Sequence, residues 1–117
     1  MKKKMNIALV GLGTIGSYLL KYLIQNKNQL IKKNMAIPNV LKVCARNRNK
    51  KRGIKIKKKL WAKDYKEIIN NTNIDLVVEL IGGSEGVAKK LVFESLRNGK
   101  HVVTANKALI AKYGCLL

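Results

Sequence analysis

The chain has 117 residues, with 25 Lys and Arg against 6 Asp and Glu, for a formal net charge of +19 at pH 7. That length supports one hydrophobic core and excludes two full domains. No apolar run approaches the roughly 18 to 20 residues that span a bilayer, and Lys2 to Lys4 are not followed by a signal core, so a soluble cytoplasmic protein without membrane contact is expected.

The first predicted element is an apolar strand, Asn6 to Val10, which runs into Gly11-Leu12-Gly13-Thr14-Ile15-Gly16 and then into a helical pattern. In that context G-x-G-x-x-G is a dinucleotide-binding signature. Gly11 permits the sharp turn, Gly13 lets backbone approach a pyrophosphate, and Gly16 lets the helix pack closely on the sheet. Amides at the helix start then face the anion. Glycine turns between strand and helix also arise for steric reasons alone, so the motif by itself names no reaction. From Thr14 to about Asn26, the residues Ile15, Leu19, Leu20, Tyr22, Leu23 and Ile24 recur at spacings of three and four, which predicts an amphipathic helix with that stripe inward.

Lys27 to Pro38 reads as a polar connection, with Ile31, Met35 and Ile37 as packing points and Pro38 and Asn39 as punctuation. Val40 to Ala45 is the predicted second strand, with Arg46 at its carboxyl end. Asn47 to Lys59 is a basic loop containing Gly53, and Leu60-Trp61-Ala62 is a brief third strand. Asp64 caps a helix over Tyr65 to Asn71, with Glu67 placed to reach back to the cap's amide. Ile74 to Ile81 is the fourth strand, ending in Gly82-Gly83-Ser84. Ser84 is a cap for a helix from Glu85 to Asn98, whose inward stripe is Val87, Leu91, Val92, Ser95 and Leu96 and whose stop is Gly99. His101 to Thr104 is the fifth strand, and Ala105-Asn106 leads into a short helix from Lys107 to about Lys112.

Strand and helix in alternation predict an α/β fold: a Rossmann-type, doubly wound parallel sheet of about five strands in the order 3-2-1-4-5, with residues 1–117 forming one dinucleotide-binding domain. Ligands of such sheets sit at the carboxyl ends of the strands, where Gly11 to Gly16, Arg46, Gly82 to Ser84 and Thr104 to Lys107 converge. Arg46 occupies the position where an NAD-selective site places Asp or Glu, and Asn47 and Arg48 follow it. A 2′-phosphate suits that site, so NADP(H) is expected over NAD(H). Glu79, near the end of a buried strand, is expected to accept hydrogen bonds from amides of the glycine loop or to touch water. Cys44 and Cys115 have no C-x-x-C spacing and read as reduced structural thiols; His101, the chain's one His, is given no chemistry, and no metal site is expected.

Val77-Val78-Glu79-Leu80-Ile81-Gly82-Gly83, then Gly99-Lys100-His101-Val102-Val103-Thr104-Ala105-Asn106-Lys107-Ala108-Leu109-Ile110-Ala111, together with Val10-Gly11-Leu12-Gly13-Thr14-Ile15-Gly16, resemble homoserine dehydrogenase over nearly the whole chain. The resemblance implies an oxidoreductase of threonine and methionine biosynthesis that interconverts L-aspartate 4-semialdehyde and L-homoserine with NADP(H) or NAD(H). It implies that Gly11, Gly13, Thr14, Ile15 and Gly16 hold the pyrophosphate, Arg46 the adenosine ribose or its phosphate, Gly83 and Ser84 the wall of the cleft, and Lys107 the region of nicotinamide and substrate. The family continues into a substrate and dimerisation domain and is homo-oligomeric. Its homoserine-binding acids and proton-transfer lysine match no position of these 117 residues, so the chain alone is expected to bind cofactor, to carry no catalytic residue and to turn over little.

Two other classes stand behind that reading. One is a non-catalytic nucleotide-binding module or gene remnant. The other rests on the 12 of 25 basic residues that fall between Lys42 and Lys66, where the only acid is Asp64. Such a cluster attracts polyanions. With few aromatics and no nucleic-acid-binding module, however, it reads better as a solvated lysine surface than as a nucleic-acid interface.

Overall fold

A computed structural model describes residues 3–29, 36–46, 55–81 and 86–105. Four parallel strands form the sheet: β1 Lys3–Val10, β2 Ala36–Cys44, β3 Leu76–Glu79 and β4 His101–Thr104, in the order β2-β1-β3-β4. Helices α1 Thr14–Gln25, α2 Tyr65–Asn70 and α3 Val87–Arg97 lie among the described residues. The run Ile7-Ala8-Leu9-Val10 makes β1 the centre because every residue of it is buried, as a parallel strand covered on both faces requires. Ile7 and Leu9 join Leu12, Leu20 of α1, Val43 and Val78 in one cluster. Ala8 and Val10, alternating with them, join Ile68 and Ile69 of α2, Leu91 of α3 and Val77 in the other. The α/β, doubly wound expectation therefore holds for the described residues.

Among the described residues the sheet has four strands, not the five expected. Leu60-Trp61-Ala62 forms only a parallel bridge between Trp61 and Val43, reinforced by Ala62 N donating to Val43 O at 2.9 Å. A single 3-10 turn over Lys58–Leu60 precedes it, and the Trp61 amide is spent inside that turn on Lys58 O. The other strands keep the expected neighbours.

β2 starts at Ala36, not Val40, and runs through Pro38, which lies opposite Met5. A proline is tolerated because this stretch is the outer edge of the sheet among the described residues, where no ladder needs its missing N–H. The pairing slips by one residue between Ile7–Val40 and Ala8–Lys42, leaving Leu41 as a β-bulge. Val40 and Val43 thus both face the α1 cluster, while Leu41 and Cys44 face the other.

In α1 the inward line is Gly16, Leu19, Leu20 and Leu23; Ile15, Tyr22 and Ile24, expected inside, are exposed. Six apolar residues in ten positions cover more than one face, so periodicity could not choose between them. Asp64 caps α2 as expected, its Oδ1 accepting from Glu67 N at 3.0 Å, but Glu67 reaches back to the amide of Lys63 instead of the cap residue. α3 begins at Val87 behind Gly86, whose φ is +75°; Ser84 and Glu85 lie outside the described residues. Its end is a Schellman motif: Gly99, at φ +77°, donates to Leu96 O, and Lys100 N donates to Ser95 O. The predicted helix after Asn106 also lies outside the described residues.

Candidate functional site: the carboxyl edge of the sheet

Gly11 leaves β1 at φ +101°, and a Cβ there would lie 2.8 Å from the carbonyl carbon and oxygen of Leu80, so conformation and space both demand glycine. Its amide donates to Cys44 O at 2.9 Å, tying the turn to the end of β2. Gly16 was expected to serve helix–sheet packing, but its tightest neighbour is the turn itself: a Cβ would sit 2.1 Å from Gly11 O and 3.5 Å from Leu80 Cδ1. Gly13 is the opposite case. It has an ordinary φ of −74°, and a Cβ would meet nothing within 4 Å. The backbone at the head of α1 therefore presents an open face, with Thr14 and Ile15 also exposed. No side chain caps the helix and no acid lies in its first turn. Twelve residues of aligned peptide dipoles and unsatisfied first-turn amides leave this end suited to an anion. This is the shape a diphosphate needs: rigid walls at Gly11 and Gly16, and an unfilled cradle at Gly13.

Arg46 stands two residues beyond Cys44, on the same edge, exposed and without a hydrogen bond or ion pair among the described residues. On the other side of β1, Val10 pairs with Glu79 and Glu79 with Thr104, so the ends of β3 and β4 are level with the glycine turn. Glu79 is fully buried. Its Oε2 accepts from Ile81 N at 2.7 Å and its Oε1 accepts from the Thr104 hydroxyl. Glu79 was expected to accept from amides of the glycine loop or to touch water; it accepts instead from the Ile81 amide, ahead of Gly82, and from the Thr104 hydroxyl, which the sequence reading missed. The clue available in the sequence was an acid in an apolar strand, whose charge must find donors. Gly83, Ser84 and Lys107 lie outside the described residues.

The opposite, amino edge carries other features. His101 is exposed at the start of β4, away from the glycine turn. Lys100 is buried beside it, its Nζ donating to Asn71 O at 2.7 Å, and burial pushes its pKa below the ordinary 10.5 while Asp75 opposes the shift. A cleft of about 390 Å³ opens there between Lys4, Ile74, Asp75 and Lys100. Ligands of open parallel sheets bind at the carboxyl edge instead. Among the described residues no group of His, Cys, Asp and Glu could hold a metal, and no helix is long and apolar enough to cross a membrane. Cys44 is half-buried; Cys115 lies outside the described residues. Lys57, Lys58 and Lys59 are exposed around the 3-10 turn.

Residues 11–117 match the family model described as homoserine dehydrogenase, NAD binding domain. The homoserine dehydrogenase of Bacillus subtilis is 36% identical over 112 residues, covering 96% of this chain and 26% of its own length. That of Neisseria gonorrhoeae is 38% identical over 112 residues, covering 96% of this chain and 25% of its own length. Among solved structures, Staphylococcus aureus homoserine dehydrogenase at pH 7.0 superposes with a TM-score of 0.88 at 36% identity, covering all of this chain and 30% of that one. The chain spans about a quarter of the length of the curated relatives it matches. With fold, glycine turn and sequence in agreement, the chain belongs to the homoserine dehydrogenase NAD-binding domain family.

Proposed function

We propose that residues 1–117 form the cofactor-binding domain of a homoserine dehydrogenase that prefers NADP(H) to NAD(H). Together with a substrate-binding part outside these residues, the domain would interconvert L-aspartate 4-semialdehyde and L-homoserine, in a cytoplasmic, homo-oligomeric enzyme of threonine and methionine synthesis. The observation that carries this reading is the open backbone face at Gly13 between two sterically fixed glycines. When bound, the nicotinamide supplies the carbon that gives or takes hydride.

The chain's own residues bind and orient. First-turn amides around Thr14, Ile15 and Gly16 take the diphosphate, with the helix dipole adding about 0.3–1 kcal/mol. The Arg46 guanidinium takes the 2′-phosphate, at about 1.5–3 kcal/mol for a charge-assisted hydrogen bond. Gly83 and Ser84 line the cleft wall, and the Lys107 ammonium meets an anionic group of the substrate or cofactor. Proton transfer and the rest of substrate recognition come from outside this domain, so the 117 residues bind cofactor and turn over little. Calorimetric titration of the chain with NADPH and NADH tests the proposal. Binding of NADPH, tighter than NADH, is expected; no heat with either overturns it.

A further inference from the structure

The fully buried Glu79 carboxylate bridges the carboxyl ends of β3 and β4. One oxygen fixes the Ile81 amide, directly before Gly82-Gly83-Ser84; the other fixes the Thr104 hydroxyl, three residues before Lys107. Backbone pairing alone is thin at this row. Ala105 N reaches Glu79 O only at 3.3 Å, and both strands are four residues long. An acid with no exposure in an otherwise apolar strand is costly unless its contacts matter, and an apolar residue of similar size would pack there without that cost.

We propose that Glu79 is a positioning residue that ties the carboxyl ends of β3 and β4 together at Ile81 and Thr104, and thereby sets the grip on the nicotinamide half of the cofactor. This rests on the cofactor reading above. Arg46 at the end of β2 places the adenosine half on one side of the glycine turn. The diphosphate lies over the turn, and β3 and β4, on the other side of β1, are left to face the nicotinamide half. Ile81 and Thr104 lie on the β3–β4 side of β1, opposite the end of β2, so the loss of the clamp falls on that half of the ligand.

The test compares NADPH with adenosine 2′,5′-bisphosphate, a probe that carries the adenosine half alone, on the 117-residue chain and its variants. Glu79→Ala weakens NADPH binding by about tenfold or more, the scale of losing charge-assisted hydrogen bonds, and leaves the bisphosphate within about twofold. Glu79→Gln restores NADPH affinity, because its amide oxygen accepts from Ile81 N and its amide NH₂ donates to the Thr104 oxygen. Should Glu79→Ala fail to fold, Thr104→Val, which keeps the side-chain shape and removes one arm of the clamp, carries the test with a weakening of about threefold to tenfold for NADPH alone. Equal weakening of both ligands in a folded variant, or no weakening of NADPH, overturns the clamp. Failure of the unmodified chain to bind NADPH overturns the cofactor reading itself, and the clamp with it.

Discussion

Replacing Gly13 by Ala separates binding from folding, because the structure assigns the three glycines different tasks. At Gly13 the backbone has φ −74°, and the added methyl meets no atom within 4 Å. Removing a glycine from the unfolded chain is worth about 0.4–1 kcal/mol, and exchanging Gly for Ala at a helix N-cap costs a similar amount, so the two offset. The net effect on Tm is no more than about 3 °C in a domain of this size. On the proposed binding mode the same methyl stands where the diphosphate approaches the amides, and overfilling a fitted space costs about 1–3 kcal/mol, equivalent to roughly fivefold to 150-fold weaker NADPH. Gly16→Ala gives the contrast. Its methyl starts 2.1 Å from Gly11 O, and relieving that contact moves the head of α1 by about 1 Å, at 3 kcal/mol or more, so the melting temperature itself falls. Thermal melts followed by circular dichroism, paired with NADPH titrations, read both quantities. A Gly13→Ala chain that binds NADPH like the unmodified chain, or one that unfolds like Gly16→Ala, would refute the reasoning.

Arg46→Ala should lower the NADPH-to-NADH affinity ratio by about tenfold or more through loss of the guanidinium–phosphate bond, and an unchanged ratio in paired titrations would remove Arg46 from the site. Leu20→Ala, at a side chain with no exposure between α1 and the sheet, should cost about 2–5 kcal/mol in denaturant unfolding; a loss under about 1 kcal/mol would contradict its place in the core. Lys100 bears on alkaline stability. Burial lowers its folded-state pKa below 10.5, so the folded state sheds its proton first, and between that lowered value and 10.5 the unfolded state binds more protons. Stability of the unmodified chain relative to Lys100→Met should therefore rise as pH climbs through that window and be flat below it. A pH-independent difference between the two proteins across about pH 8 to 11 would contradict the shift.

Much of this edge is legible in the residues themselves. The four-residue run Ile7 to Val10 marks a strand buried on both faces, and the glycine spacing after it specifies both the turn and its open side. Arg46 is placed by counting to the end of an apolar run. What could not be read depends on partners far along the chain. The face of α1 is settled by Gly16, which carries no hydropathy, and by what the sheet offers it. The third strand shrinks to one bridge because Trp61 spends its amide within a local turn, which no pattern over three residues reveals. The Glu79–Thr104 contact joins residues 25 apart and follows only from the register of β3 with β4. Lys100 offers no signal at all; its burial arises from the Schellman turn that swings it under the end of α2.

The surplus residue in β2 bears on how this edge tolerates change in chain length. Below it, Ile7 faces Val40; above it, Ala8, Leu9 and Val10 face Lys42, Val43 and Cys44 without interruption, and Cys44 still meets Gly11. Excising Leu41 would give an unbroken one-to-one ladder that delivers Arg46 to the same spot, forfeiting only that side chain's packing. β2 thus takes up an insertion upstream, as a slack link would, and the carboxyl rim is insulated from it.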